Sequence, residues 1–188
     1  MKLPRWLPLC LFPLAGFAAE ARPQDLFWKN LSALCGQAFE GRVVEGTPPS
    51  DAAVREQCLV MHVRACGENE IRIPFFVGEN RSRTWVITRT ATGVRLKHDH
   101  RHEDGTEDKV TQFGGDTAAA GTAQRQDFPA DAFTAALIPA AATNIWTLMI
   151  EPGKTFGYGL RREAEGRRFR GEFYLAKPVA NPPAPWGG

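Results

Sequence analysis

The sequence predicts a mainly β domain, an antiparallel up-and-down β-barrel of about eight to ten strands with a short N-terminal helix and one short helix near 129–139. Three observations lead there. Apolar and polar residues alternate with a period of two over most of the chain. Ile71, Ile73 and Phe75 interleave with Glu70, Arg72 and Pro74, and Phe169, Phe173 and Leu175 with Arg168, Arg170 and Glu172. Turn residues separate these runs at short intervals, and no long crossing connection joins them. A sheet built of sequential hairpins hides its edges most completely by closing on itself, so a barrel is favoured over the runner-up, a two-sheet β-sandwich, which needs long crossovers.

The elements follow in order. Lys2 and Arg5, the apolar stretch from Trp6 to Phe17, and Ala19-Glu20-Ala21 have the layout of a signal peptide over 1–21. The apolar stretch is interrupted by Pro8 and Pro13 and is shorter than the roughly 20 residues a membrane-spanning helix needs. No stable membrane span is therefore expected after cleavage, and the expected location is periplasmic or secreted. Leu26, Phe27, Asn30, Leu31 and Leu34 then recur at helical spacing. Strands are predicted over 37–44, 58–66, 70–77, 83–90, 94–102, 109–113, 122–128, 144–150, 155–161 and 168–175. Turns are predicted at Thr92-Gly93, Asp104-Gly105, Gly114-Gly115 and Pro152-Gly153 among others. Between 129 and 139, Pro129 can open a helix whose inner stripe is Ala132, Phe133, Ala136 and Leu137. A single barrel domain thus spans 22–178, and 179–188 form a proline-rich C-terminal tail that is either loose or covers an edge.

Composition narrows the function classes. The chain has 188 residues, 43% of them apolar, and a net charge of +2. Signal cleavage removes two basic residues and one acidic residue, leaving a nearly neutral domain without the basic excess that nucleic-acid binding requires. Three cysteines remain, Cys35, Cys58 and Cys66. Cys58 and Cys66 stand about 26 Å apart if the segment between them is extended, out of disulfide reach. Folding 37–44 back on 58–66 as a hairpin brings Cys35 near Cys66, so the expected disulfide is Cys35–Cys66, with Cys58 free.

One segment concentrates chemistry. His98, His100 and His102 are three of the four histidines, and on a strand they share a face with Val94 and Leu96. Tight turns at Thr92-Gly93 and Asp104-Gly105 would set Ile87 opposite His98, Trp85 opposite His100, Arg83 opposite His102, Thr111 opposite His98 and Glu107 opposite His102. If that face points inward, Trp85 is an aromatic wall and His98, His100, Thr111 and Arg125 are polar contacts for a small ligand. The alternative occupant is a divalent metal on His100, His102 and Glu107. Two histidines at i and i+2 can reach one ion, whereas His98 and His102 lie about 13 Å apart on an extended strand. The plain structural alternative is a filled barrel whose histidines satisfy one another. Other chemistry lacks its motif: Ser32, Ser50 and Ser82 are the only serines and none sits in Gly-x-Ser-x-Gly, and neither His-Glu-x-x-His nor a phosphate-binding glycine loop is present.

The runs Arg83-Thr84-Trp85-Val86-Ile87-Thr88-Arg89-Thr90, Leu96-Lys97-His98-Asp99-His100-Arg101-His102-Glu103-Asp104-Gly105 and Gly114-Gly115-Asp116-Thr117 resemble a family of secreted bacterial proteins of uncharacterised activity. The resemblance covers nearly the whole mature chain. It implies a bacterial exported protein and brings no activity with it; the cofactor is left unknown, a divalent metal being the one considered. In overall shape the strand order is similar to the lipocalin and fatty-acid-binding barrels, although no Gly-x-Trp stands near the first strand; this likeness is one of architecture alone. The expectation is an exported small-ligand-binding barrel, with a metal-dependent enzyme on the 98–102 strand and a structural domain as alternatives.

Overall fold

The period-two segments pair in the order in which they occur along the chain. The computed structural model describes residues 20–47, 49 and 51–188, so the expected signal peptide lies, apart from its last two residues, outside the described residues. Eleven strands are present among the described residues: β1 (Ala38–Gly46), β2 (Leu59–His62), β3 (Ala65–Cys66), β4 (Glu70–Val77), β5 (Asn80–Arg89), β6 (Val94–His100), β7 (Phe113–Asp116), β8 (Arg125–Pro129), β9 (Ile145–Glu151), β10 (Thr155–Arg162) and β11 (Arg167–Tyr174). Helices α1 (Pro23–Ser32), α2 (Ala52–Arg55) and α3 (Ala132–Leu137) accompany them. The sheet runs β7-β6-β5-β4-β2-β1-β11-β10-β9-β8, all antiparallel, with the short β3 added beside β4. β11 pairs with β1 and so joins the last strand to the first. The result is a nearly closed up-and-down barrel whose one break in the ladder lies between β7 and β8.

That seam is bridged by side chains in place of a ladder. Buried Thr134 of α3 donates its hydroxyl to the Gly114 carbonyl (2.8 Å) and accepts the Gly114 N–H (2.7 Å). The Asp131 N–H donates to the same carbonyl at 3.0 Å. Asp131 also caps α3 by accepting from the Thr134 N–H (2.8 Å) and pairs with Lys97 of β6 (2.5 Å). The backbones approach so closely that only glycine fits: a Cβ on Gly115 would stand 1.8 Å from the Pro129 carbonyl oxygen, and one on Gly114 2.0 Å from that of Leu96.

Inside, Phe75 and Tyr158 stack on Trp85 at 4.8 and 4.5 Å, with Phe156 and Phe173 about 6 Å from the same ring. At one end α1 turns Phe27, Trp28 and Leu31 into this core. It is held there by Gln24 donating to the Ala119 carbonyl (3.2 Å), Asn30 to that of Ala123 (2.8 Å), and the Arg89–Asp25 pair (2.5 Å). The Cys35–Cys66 disulfide ties the chain after α1 to β3, and Cys58 is free and exposed.

Several expectations are corrected. Gly114 and Gly115 are strand residues of β7 and not a turn, because the seam needs bare backbone there; 109–112 form part of a longer connection instead. The segment 58–66 is two strands separated by Val63 and Arg64. α3 begins after Asp131, since Pro129 ends β8, and it turns Thr134 inward while Phe133 stays 53% exposed. Leu26 of α1 is likewise on the outer side. The β5–β6 connection contains four residues, Thr90 to Gly93, closed by Thr90 N–H to Gly93 O (2.9 Å), which shifts the predicted pairing by two positions. The tail is docked: Val179 bridges to Ala38, and the Trp186 N–H donates to the Arg81 carbonyl at 3.1 Å.

Two outcomes are expected. The disulfide closes a loop across a sequence separation of 31, so Cys66→Ser should lower unfolding free energy by about 3 kcal/mol in urea titrations. Gly115→Ala should cost ~3 kcal/mol by forcing β7 from β8, with faster amide exchange at Gly114; wild-type exchange there would show that the seam tolerates a methyl group.

Candidate functional site

Strand alternation sends Arg83, Trp85 and Ile87 of β5 and Val94, Leu96, His98 and His100 of β6 to the interior. Their register pairs Ile87 with Leu96, Trp85 with His98 and Arg83 with His100. The stripe thus grades from apolar to polar towards the mouth of the barrel. There Phe75 and Val77 of β4, Phe113 of β7, Tyr158 and Leu160 of β10 and Phe169 of β11 complete the wall. Asp51 and Val54, from the connection that carries α2, lean over it. Together these residues line a cavity of about 180 Å³ that is open at the mouth. Larger hollows of about 410 and 250 Å³ lie over the outer faces of β8–β11, lined by Arg125, Met149, Gly157 and Arg170 among others. They are open troughs across strand faces. Buried polar groups converge on the interior cavity.

His98 is buried, and its two partners settle its tautomer. The Phe113 carbonyl, 3.0 Å from Nδ1, can only accept, so Nδ1 carries the proton and Nε2 accepts from the Tyr158 hydroxyl at 2.7 Å. Burial holds the ring neutral, pushing its pKa down to about 3, and raises that of the Tyr158 phenol. His100 is half-buried; burial and the adjacent Arg83 lower its pKa to about 4. Arg83 is itself pulled below the ordinary guanidinium value by burial. Its side chain donates to Asn80 Oδ1 (3.0 Å), and among the described residues no carboxylate lies within 4.0 Å of it. The other charges at the mouth cancel. Asp51 accepts from both terminal nitrogens of Arg167, one of these bonds at 2.7 Å, and from the Thr47 N–H at 3.0 Å.

The arrangement offers one uncompensated cation, a neutral imidazole and aromatic walls.

The structure brings three of the sequence-predicted residues together, Trp85, His98 and His100. Thr111 sits beside them but spends its hydroxyl on the His100 backbone N–H (2.8 Å). Arg125 lies on the outer face of β8, paired with Asp127 at 3.1 Å, because Gln126 and Phe128 take the inward positions. His102 is exposed, and Glu107 is held by Arg101 at 3.0 Å. Among the described residues no three His, Cys, Asp or Glu side chains are grouped to hold a metal ion. Sequence reasoning missed Arg83, Tyr158, Asp51 and Arg167 as parts of the site. Arg83 had a signal, since it shares a strand face with Trp85 and Ile87 and directly continues their stripe. Asp51 and Arg167, far apart in sequence, had none.

The histidines make acid sensitivity testable. An unfolded histidine titrates near 6.5, whereas His98 and His100 titrate at about 3 and about 4, and burial lowers His62 as well. Between these values and 6.5 the unfolded chain binds more protons than the folded one, so stability falls as pH drops through that window. The limiting slope is ~1.4 kcal/mol per pH unit for each buried ring. Asp25, Asp127 and Asp131, whose pKa values are lowered, add their loss only at more acidic pH. The urea midpoint should decline steadily from pH 6.5 towards pH 4, and His100→Asn should flatten that decline; a midpoint that is level across the window would mean that the folded rings protonate freely.

No protein-family model, no curated protein and no solved structure matches this chain. What stands on the geometry alone is a nearly closed antiparallel barrel, compatible with a calycin-like shape, with a mainly apolar cavity at its mouth that a few polar groups line.

Proposed function

We propose that this is an exported binding protein whose barrel mouth holds one small molecule. The observation that carries this reading is the convergence of Arg83, His98, His100 and Tyr158 on a cavity with aromatic walls, in a barrel otherwise filled by its own side chains. Ligand sites have this composition: an apolar lining with a few placed polar groups that set orientation. A cavity of about 180 Å³ is smaller than drug-sized sites, so the part of the ligand held inside is compact. Export is supported by the signal-like start of the chain and by the Cys35–Cys66 disulfide, which suits an oxidising compartment. No helix among the described residues is long and apolar enough to cross a membrane.

The test is a nuclear magnetic resonance screen of ¹⁵N-labelled, disulfide-bonded protein against a library of small aromatic and aliphatic compounds. Hits should shift the Trp85 indole signal together with the amides of Arg83, His100 and Phe113, and Leu160→Trp, which fills the cavity, should abolish the shifts. Perturbations confined to the outer faces of β8–β11, or none at all, would sink the reading.

A further inference from the structure

The polar groups at the mouth differ in what they have left to give. Both ring nitrogens of His98 are engaged, and the Tyr158 proton is committed to His98. Asp51 and Arg167 neutralise each other. Arg83 faces the cavity with no carboxylate within salt-bridge distance among the described residues. Across the ladder from it, His100 makes no ring hydrogen bond among the described residues; its N–H donates to the Thr111 hydroxyl and its carbonyl accepts from the Asp108 N–H, so its polar contacts are through its backbone. A guanidinium partly withdrawn from water without a counter-charge is less well stabilised than one in solvent, and a bound anion offsets that loss.

Resting on the reading of the mouth as a ligand site, we infer that its ligand is a small apolar monocarboxylate, held by its carboxylate on Arg83 and His100 with its body against the aromatic wall. One uncompensated cation matches one negative charge; a dianion would leave a second charge unpaired beside the Asp51 carboxylate. The planar fork of a guanidinium fits a carboxylate at two points, and the neutral His100 ring supplies a further N–H. Trp85, Phe75 and Phe113 offer the apolar body a wall of the size that the cavity volume allows.

Isothermal titration calorimetry with benzoate, benzamide and phenyl phosphate tests this on the wild-type protein and on Arg83→Met, with thermal melts run alongside. Benzoate should bind at least tenfold more tightly than its uncharged counterpart benzamide and than dianionic phenyl phosphate. Arg83→Met should lose the preference for benzoate while its melting temperature holds, because the half-buried guanidinium makes no ion pair that its removal would break. Equal binding of benzoate and benzamide, or benzoate binding that survives in Arg83→Met, overturns the charge assignment and leaves the cavity reading intact. Tighter binding of phenyl phosphate overturns the single-charge match. Absence of binding by all three overturns the inference, and the screen with Leu160→Trp then decides the cavity reading on its own. Should Arg83→Met fail to fold, the wild-type series alone decides between these outcomes.

Discussion

The closure of this barrel depends on the grip of one side chain on one glycine residue. A sheet of this length exposes two edges unless it closes, and unpaired edges invite association with other chains. Here β7 and β8 meet without a ladder, and the Thr134 hydroxyl takes both the N–H and the carbonyl of Gly114. One hydroxyl thus serves a buried donor and, together with the Asp131 N–H, a buried acceptor. The surrounding residues serve this contact: Gly115 lets the backbones approach, Asp131 caps the short helix that carries Thr134, and Lys97 anchors Asp131 to β6.

Closure then creates the site. Because β7 is held in place, Phe113 can stack on His98 at 4.4 Å and present its carbonyl to Nδ1. That bond orients the ring so that Nε2 meets Tyr158 from the opposite side of the barrel. The three residues form a cross-barrel brace of neutral groups beneath the mouth. Above it the polar side chains are less satisfied, and Arg83 stands where the interior becomes wet. The gradient along β5 and β6, from leucine and isoleucine to histidine and arginine, is a gradient of hydration.

Much of the architecture was legible in the sequence, because a period of two repeated through many short segments leaves few alternatives to a meander. The disulfide was legible for the same reason: once 37–44 and 58–66 pair, Cys35 falls beside Cys66 and Cys58 does not. The face of the histidines was legible from Val94 and Leu96 on the same strand. Register was not. A four-residue connection and a two-residue turn are both compatible with Thr90-Ala91-Thr92-Gly93, and the difference moved Arg83 from a place beside His102 to one beside His100. The roles of Gly114 and Gly115 were hidden because glycines required by close backbone approach look, in sequence, like glycines required by a turn. Arg125 was misplaced by the same parity that located the histidines, since a strand starting at Arg125 turns Gln126 inward.

The covalent chain and the hydrogen-bonded sheet are interrupted at different places. Between β1 and β11 the ladder is continuous although the strands are far apart in sequence; between β7 and β8 the chain is continuous although the ladder is absent. Mechanically the barrel is a split ring with a clasp. The clasp is the set of bonds that Thr134 and Asp131 make to Gly114, and the residue next to it on the same lip is Phe113, so the fastening of the ring and the wall of the pocket are built on neighbouring residues of one strand.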